Sequence, residues 1–214
     1  MKSRLALSCV MFILAGCAMQ RPAQHVATRY RLLGVRDTVP APGRAPTVLR
    51  LLPVDAPQGI DTAAMIYSPG PQRIMHYRDS SWVAPPADLV REALAQSLRR
   101  QPWIAAVETD AVPALPAWTL HCELERLEHD LSGAAGRVRL AMDCQLVRGV
   151  DGDLVAHWRT DGTLPLTTND AAHYAAATQQ LLDAALRSSV SNVASATATA
   201  GVEPARPPDS APAP

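Results

Sequence analysis

Residues Trp118 to Glu128 (WTLHCELERLE) and Arg137 to Arg148 (RVRLAMDCQLVR) alternate apolar and polar side chains on either side of the Gly-containing stretch Ser132 to Gly136. A period of two sends successive side chains to opposite faces of a strand, so the pattern predicts a β-hairpin with one buried face. Trp118, Leu120, Cys122 and Leu124 share that face in the first strand. Val138, Leu140, Met142, Cys144 and Leu146 share it in the second. If Leu124 lies opposite Met142, Cys122 lies opposite Cys144. The two cysteines then either form a disulfide or pack as two buried thiols, and a slip in register would separate them.

Working outward, Leu154 to Thr160 follows the Asp151-Gly152 turn as a further strand, and Thr168, Asn169 and Asp170 are suited to cap a helix. Tyr174, Ala177, Leu181, Ala185 and Leu186 give that helix an apolar stripe running towards Val190. On the N-terminal side, Pro85, Pro86 and Asp88 open a second helix. Leu89, Val90, Ala93, Leu94, Ser97 and Leu98 recur at helical spacing, while Arg91, Glu92, Arg99 and Arg100 face away, until Pro102 stops it. Tyr30 to Val35 and Val48 to Val54 are strand-length apolar runs separated by Pro40 to Pro46. Ala63 to Tyr67 and Arg73 to Tyr77 form a hairpin around Ser68-Pro69-Gly70-Pro71. Trp103 and Trp118 are expected in the core. The expected fold is α/β, a mixed sheet of about five strands with two main helices packed on it.

The N-terminus carries a different signal. Lys2 and Arg4 precede the apolar run Leu5 to Leu14, whose length of about 10 residues suits a signal peptide and falls short of the ~20 that span hydrocarbon. The run ends in Leu14-Ala15-Gly16-Cys17, which resembles the lipobox of bacterial lipoproteins. This resemblance implies cleavage between Gly16 and Cys17 and lipid attachment to the Cys17 thiol. Each buried acyl methylene contributes about 0.8 kcal/mol, so several chains hold a soluble body to a membrane. Ala18, rather than Asp, after the cysteine implies passage to the outer membrane. The expected organisation is a signal peptide over 1–16, a lipidated tether over 17–28, one domain over 29–193 and a disordered Pro/Ala-rich tail over 194–214. The 19 prolines of the 214 residues are part of the reason for expecting such a tail.

Charge and motifs exclude several functions. With 20 basic against 20 acidic residues there is no basic excess to hold phosphate backbones, so nucleic acid is not an expected partner. The chain has no Gly-x-Ser-x-Gly elbow, no His-Glu-x-x-His and no phosphate-binding loop, and Ser132 in Asp130-Leu131-Ser132-Gly133 reads as a turn residue rather than a nucleophile. His121, His129 and His157 lie near one another in the strand plan. His121 alternates onto the solvent face, away from Cys122, which works against a shared metal. Glu123, Glu125 and Glu128 read as a solvated strand face rather than a catalytic acid pair, and Arg137 and Arg139 as their cross-strand partners. No catalytic residue, cofactor or metal is expected.

Several segments, taken in order, resemble the auxiliary lipoprotein component of ABC-type transport systems, the group that includes paraquat-inducible protein C. Tyr30-Arg31-Leu32-Leu33 resembles the family's opening strand, and Leu49-Arg50-Leu51-Leu52-Pro53-Val54 its second. Tyr77-Arg78 followed by Ser81-Trp82-Val83-Ala84-Pro85-Pro86 and the Leu89 to Leu98 helix resembles its tryptophan, proline and helix run. The chain departs from the family pattern in lacking an acid between Trp82 and Pro85, and in lacking a Leu-Asp-Arg landmark between Pro53 and Met65. The resemblance implies a non-enzymatic subunit of a system moving lipids or hydrophobic solutes across the periplasm, with an MCE-domain protein and an ABC permease and ATPase as partners. It also implies that a homo-oligomeric ring is a possible assembly. Trp82, beside Pro85 and Pro86, is either a staple of the helix onto the sheet or an interface anchor. The alternative function is a structural lipoprotein assisting outer-membrane assembly, whose sheet edge receives a partner strand.

Overall fold

The computed structural model describes residues 27–40, 46–109, 116–133, 135–149 and 152–200. The expected signal peptide, Cys17, most of the expected tether and residues 201–214 lie outside them. The described chain runs β1 (Thr28–Tyr30), β2 (Thr47–Leu51), β3 (Ala64–Gly70), β4 (Arg73–Trp82), α1 (Pro86–Arg99), β5 (Ile104–Glu108), β6 (Trp118–Asp130), β7 (Arg137–Arg148), β8 (Leu154–Pro165) and α2 (Ala171–Ala200). The class is α/β as expected, with two helices on a mixed sheet, but the sheet has eight strands rather than about five.

The hairpin read from the sequence is its backbone. β6 and β7 pair antiparallel from Trp118↔Arg148 to Asp130↔Arg137, and β8 continues the meander on the far side of β7. At 13 residues β6 is long enough for its other edge to serve two ribbons end to end. Parallel β2, with β5 beyond it, takes Trp118 to Leu120. Parallel β3, followed by β4 and β1, takes His129 and Asp130. An isolated parallel bridge, Asp55↔Glu123, pairs the chain after β2 with the middle of β6, between these two stretches.

One departure in β6 governs the rest. Leu124 lies opposite Met142 but Arg126 lies opposite Ala141, so Glu125 is the extra residue of a β-bulge. Before it, the even-numbered side chains Leu120, Cys122 and Leu124 are buried. After it, Leu127 and His129 are. The bulge thereby turns His129 inwards and Glu128 and Asp130 to the open face.

Both helices cover the face carrying Leu120, Leu124, Leu140, Met142 and Leu146, all at most 1% exposed. α1 begins at Pro86, where proline costs no hydrogen bond, and buries Val90, Ala93, Leu94 and Leu98. Arg91 does not simply face away: its Nη2 donates to the carbonyls of Leu51 and Thr109. α2 is capped by Asp170, whose Oδ1 accepts the His173 N–H at 2.8 Å. It runs to Ala200, so the expected tail does not begin at 194. Ala194 and Thr197 are 6% and 2% exposed, because small side chains let this last stretch of helix pack tightly.

Four other boundaries differ from the sequence reading. The first strand ends at Tyr30, and 31–40 crosses the helices as irregular chain. Its backbone is satisfied by side chains instead of a ladder: Val35 N–H donates to Ser97 Oγ at 3.0 Å and Val39 N–H to Gln101 Oε1 at 2.8 Å. Gly34 fits there because a Cβ would stand 2.6 Å from the Ala93 carbonyl oxygen. β2 stops before Pro53, which has no N–H to pair. The β3–β4 turn falls after Gly70 rather than across Ser68 to Pro71, with Pro69 placed in a register irregularity between Tyr67 and Gly70. β5 adds a strand where only core burial of Trp103 was expected, and Trp103 is indeed buried at its entrance.

Candidate functional site

The short parallel seam between β3 and β6, Tyr67↔His129 and Ser68↔Asp130, divides its side chains between the two faces of the sheet. On the helix face it starts an aromatic cluster. Tyr67 meets Tyr77 edge-on at 5.3 Å, Tyr77 lies parallel to His129, and His129 stacks on Tyr174 at 5.6 Å. Tyr174 meets Trp82 at 5.7 Å, and Trp82 meets Tyr30 at 6.5 Å. All four tyrosines of the chain therefore converge here, drawn from β1, β3, β4 and α2.

His129 is fully buried. Burial pushes its pKa below the ordinary 6.5, against the opposing pull of Asn169, Asp130 and Asp170. Burial and the nearby Asp170 push the Tyr77 hydroxyl up to about 12, so it keeps its proton. It lies 2.6 Å from His129 Nδ1, and donates to that nitrogen in the tautomer that carries the ring proton on Nε2. Nε2 faces Asn169 without reaching hydrogen-bond geometry. Gly136 keeps this corner open: a Cβ there would lie 1.9 Å from Asn169 Oδ1 and 2.8 Å from Nε2. The Tyr174 hydroxyl, raised in pKa chiefly by burial, has no hydrogen-bond partner among the described residues. Beside the cluster opens a cleft of about 600 Å³ lined by Tyr67, Met75, Tyr77, Arg78, Leu131 and Asn169. The neighbouring Ile74 and Met75 are 55% and 40% exposed. Such a mixture of aromatic walls and a few polar groups suits contact with an apolar or amphipathic partner.

On the open face, Ser68 and Asp130 line a second cavity of about 310 Å³ with Arg126, Glu128, Arg137 and Arg139. Burial would raise the Asp130 carboxyl, but hydrogen bonds from Ser132 and Arg137 outweigh it and hold the pKa at about 2. Asp130 Oδ1 accepts from the Ser132 N–H at 2.9 Å and hydroxyl at 2.6 Å, and Oδ2 from Arg137 Nε at 2.9 Å and Nη2 at 2.7 Å.

The remaining candidates do not assemble into chemistry. Trp82 is 1% exposed between Tyr30 and Tyr174, so it staples the chain before α1 onto the core and offers no surface to a partner. Cys122 and Cys144 lie opposite one another and are bonded in the structure. His121 and His157 sit on the open face, each 2.8 Å from its own aspartate, Asp55 and Asp143. His129 points to the other face, and among the described residues no three His, Cys, Asp or Glu are grouped to hold a metal. Glu125 pairs with Arg159 at 2.8 Å, and Glu128 accepts from Ser68 Oγ at 2.8 Å, while Glu123 is exposed. Arg137 pairs with Asp130, not with a glutamate, because the bulge brings Asp130 onto its face. Among the described residues no helix is long and apolar enough to cross a membrane.

The fold has solved counterparts. A Xanthomonas campestris protein assigned to the DUF330 family superposes with a TM-score of 0.73 at 21% identity, covering 82% of this chain and all of that one. A second structure, of an uncharacterized protein, gives 0.57 at 13% identity, covering 79% and 97%. At these identities the likeness is one of fold. No curated protein sequence matches the chain. The family described as ABC-type transport auxiliary lipoprotein component matches residues 30–188, the domain that carries the sheet, both helices and the seam described above. The chain is a member of the ABC-type transport auxiliary lipoprotein component family.

Proposed function

We propose that this protein is a lipid-anchored envelope subunit of an MCE-type ABC transport system, moving lipids or hydrophobic solutes across the periplasm without catalysing a reaction itself. The observation that carries the reading is the family match over 30–188, which follows Leu14-Ala15-Gly16-Cys17 across the short stretch 18–29. In this reading residues 1–16 are removed, Cys17 is acylated, 17–28 tether the domain to the outer membrane, and assembly into a ring belongs to the same mode of action. The MCE-domain protein and the permease with its ATPase are the partners. The cleft beside Tyr67, Met75 and Tyr77, with Ile74 exposed next to it, is the surface best suited to apolar contact.

Affinity purification of the native protein from detergent-solubilised envelopes, with mass spectrometry of proteins and lipids, tests this. Recovery of an MCE protein with its permease is expected, together with an acylated N-terminal Cys17 and release of a Cys17→Ala variant from the membrane fraction. Recovery of an outer-membrane assembly factor alone overturns the transport reading. That outcome would favour a structural lipoprotein, for which one specific feature speaks. The 12-residue β8 pairs only with β7 among the described strands and so presents a long open edge to an incoming strand.

A further inference from the structure

The arginine cradle on the open face is not balanced in the way of the other ion pairs in the molecule. Among the described residues, Arg159 with Glu125 and Arg187 with Asp37 are one-to-one pairs. In the cradle three guanidinium groups, Arg126, Arg137 and Arg139, meet two carboxylates, Glu128 and Asp130. The acceptors are also largely used. Each Asp130 oxygen already accepts two hydrogen bonds, so Arg139 comes no closer than 3.6 Å. Glu128 spends Oε2 on Ser68 and stands 3.7 Å from Arg126 Nε. Arg126 and Arg139 are thus held near carboxylates by charge without donating to them, and Nη1 of Arg137 is also unspent among the described residues. The three side chains are 41%, 45% and 33% exposed, which leaves these donors open to a ligand.

The carboxylate of Asp130 is 6% exposed and fixed by the Ser132 turn, and it locks the Arg137 fork in place. Such a buried acid pre-orients the Arg137 guanidinium at the cavity wall, which lowers the entropy cost of binding against it. One fixed guanidinium with two further ones beside it in a concavity of about 310 Å³ matches a tetrahedral oxyanion, which accepts from several guanidinium groups at once. We propose that the cradle binds the phosphate group of an anionic ligand, a phospholipid headgroup or free phosphate, between Arg126, Arg137 and Arg139. The anion site stands on its own geometry; only the choice of a lipid headgroup as its occupant rests on the transport reading.

The test is calorimetric titration of the purified full chain in non-ionic detergent with three probes: inorganic phosphate, short-chain phosphatidylglycerol and short-chain phosphatidylcholine. Saturable binding of phosphatidylglycerol in preference to phosphatidylcholine is expected. Arg139→Gln should weaken it about tenfold, the loss of one charge-assisted contact. Arg126→Gln should act similarly, and Glu128→Gln, which removes a competing negative charge, should tighten binding. Arg126 and Arg139 make no hydrogen bond to Asp130, so their variants keep the fold, which thermal unfolding checks. Binding of inorganic phosphate but of neither lipid supports the anion site and assigns it to free phosphate. Absence of binding by all three probes, or binding that none of the three substitutions changes, overturns the proposal. A failed recovery of transport components from envelopes leaves these titrations untouched, so the two readings fail separately.

Discussion

Tyr77 and His129 lie with their ring planes 7° apart, and the tyrosine hydroxyl reaches Nδ1 at 2.6 Å. This contact joins β4 to β6 beneath the first turn of α2, where Tyr174 closes over both rings. A neutral imidazole suits the arrangement, since protonation would place a buried charge with Tyr77 hydroxyl as its nearest partner and Asp130 and Asp170 as countercharges.

A pH dependence follows. Burial lowers the folded-state pKa of His129 below 6.5, so as the pH falls through 6.5 the unfolded chain takes up a proton that the folded chain resists. The stability contributed by the neutral ring is complete above that value and is lost towards the lower folded-state pKa. Urea midpoints measured from about pH 7.5 to about pH 5.5 should therefore fall in the parent and flatten in His129→Gln. Asp130 acts in a separate window: its pKa is held at about 2 against the ordinary 3.8, so its contribution is present above 3.8 and disappears between 3.8 and 2. An equal slope above pH 5 in the parent and in His129→Gln would remove His129 as the source.

The bond between Cys122 and Cys144 closes a chain segment of 22 residues across the central hairpin. Alkylation of the denatured, unreduced protein should leave both residues unlabelled, and reduction should make both reactive. Replacing the pair by Cys122→Ala with Cys144→Ala is expected to lower unfolding free energy by about 2–4 kcal/mol, chiefly by freeing the unfolded chain. The strands would still pair, because Leu120, Leu124, Met142 and Leu146 keep the same buried face.

The part of the fold legible in sequence is the part set by local periodicity. Even-numbered apolar residues from Trp118 to Leu124 fix the buried face of β6, while the register that sets Cys122 opposite Cys144 is only one of the pairings that face allows. The bulge carried a signal as well, since Leu127 breaks the even phase three residues after Leu124, but one extra polar residue reads locally as more of the same strand. Tyr30 to Val35 misled because an apolar run looks the same whether it joins a ladder or packs irregularly on a helix: Leu32 and Val35 are buried without strand pairing. The seam was not legible. Tyr67, Tyr77, His129 and Tyr174 come from distant segments and meet only through parallel pairing of β3 with β6. The arginine cradle depends on the same pairing and on the bulge.

Trp82 separates a core role from an interface role. Enclosed by Tyr30 and Tyr174 at 1% exposure, it should cost about 3–5 kcal/mol when replaced by alanine, seen as a lower denaturation midpoint of the purified protein alone. Trp82→Phe, which keeps most of the packed area, should lose far less. A Trp82→Ala protein that unfolds like the parent yet no longer retains its envelope partners would restore the interface role.

The bulge at Glu125 makes the sharpest demand on the fold. Glu125→Ala removes only the ion pair with Arg159, a partly exposed contact, and should cost about 0–1 kcal/mol. Deleting Glu125 alone removes the extra residue, after which Leu124, Arg126 and Leu127 alternate as a regular strand opposite Met142, Ala141 and Leu140, so Leu127 and His129 stay buried and Glu128 and Asp130 stay on the open face. This variant should still unfold cooperatively. Deleting Glu125 together with Arg126 sets Leu127 directly after Leu124, turning Leu127 and His129 to the open face and Glu128 and Asp130 into the core. That would bury two carboxylates, expose the imidazole that Tyr77 and Tyr174 enclose, and release the Arg137 fork from its acceptor. The double deletion should abolish cooperative unfolding by near-ultraviolet circular dichroism while the alanine and single-deletion variants unfold cooperatively. A double-deletion variant with a parent-like midpoint would mean that β6 can pair in a second register, and that the facing of His129 is not set by the residues between it and Leu124.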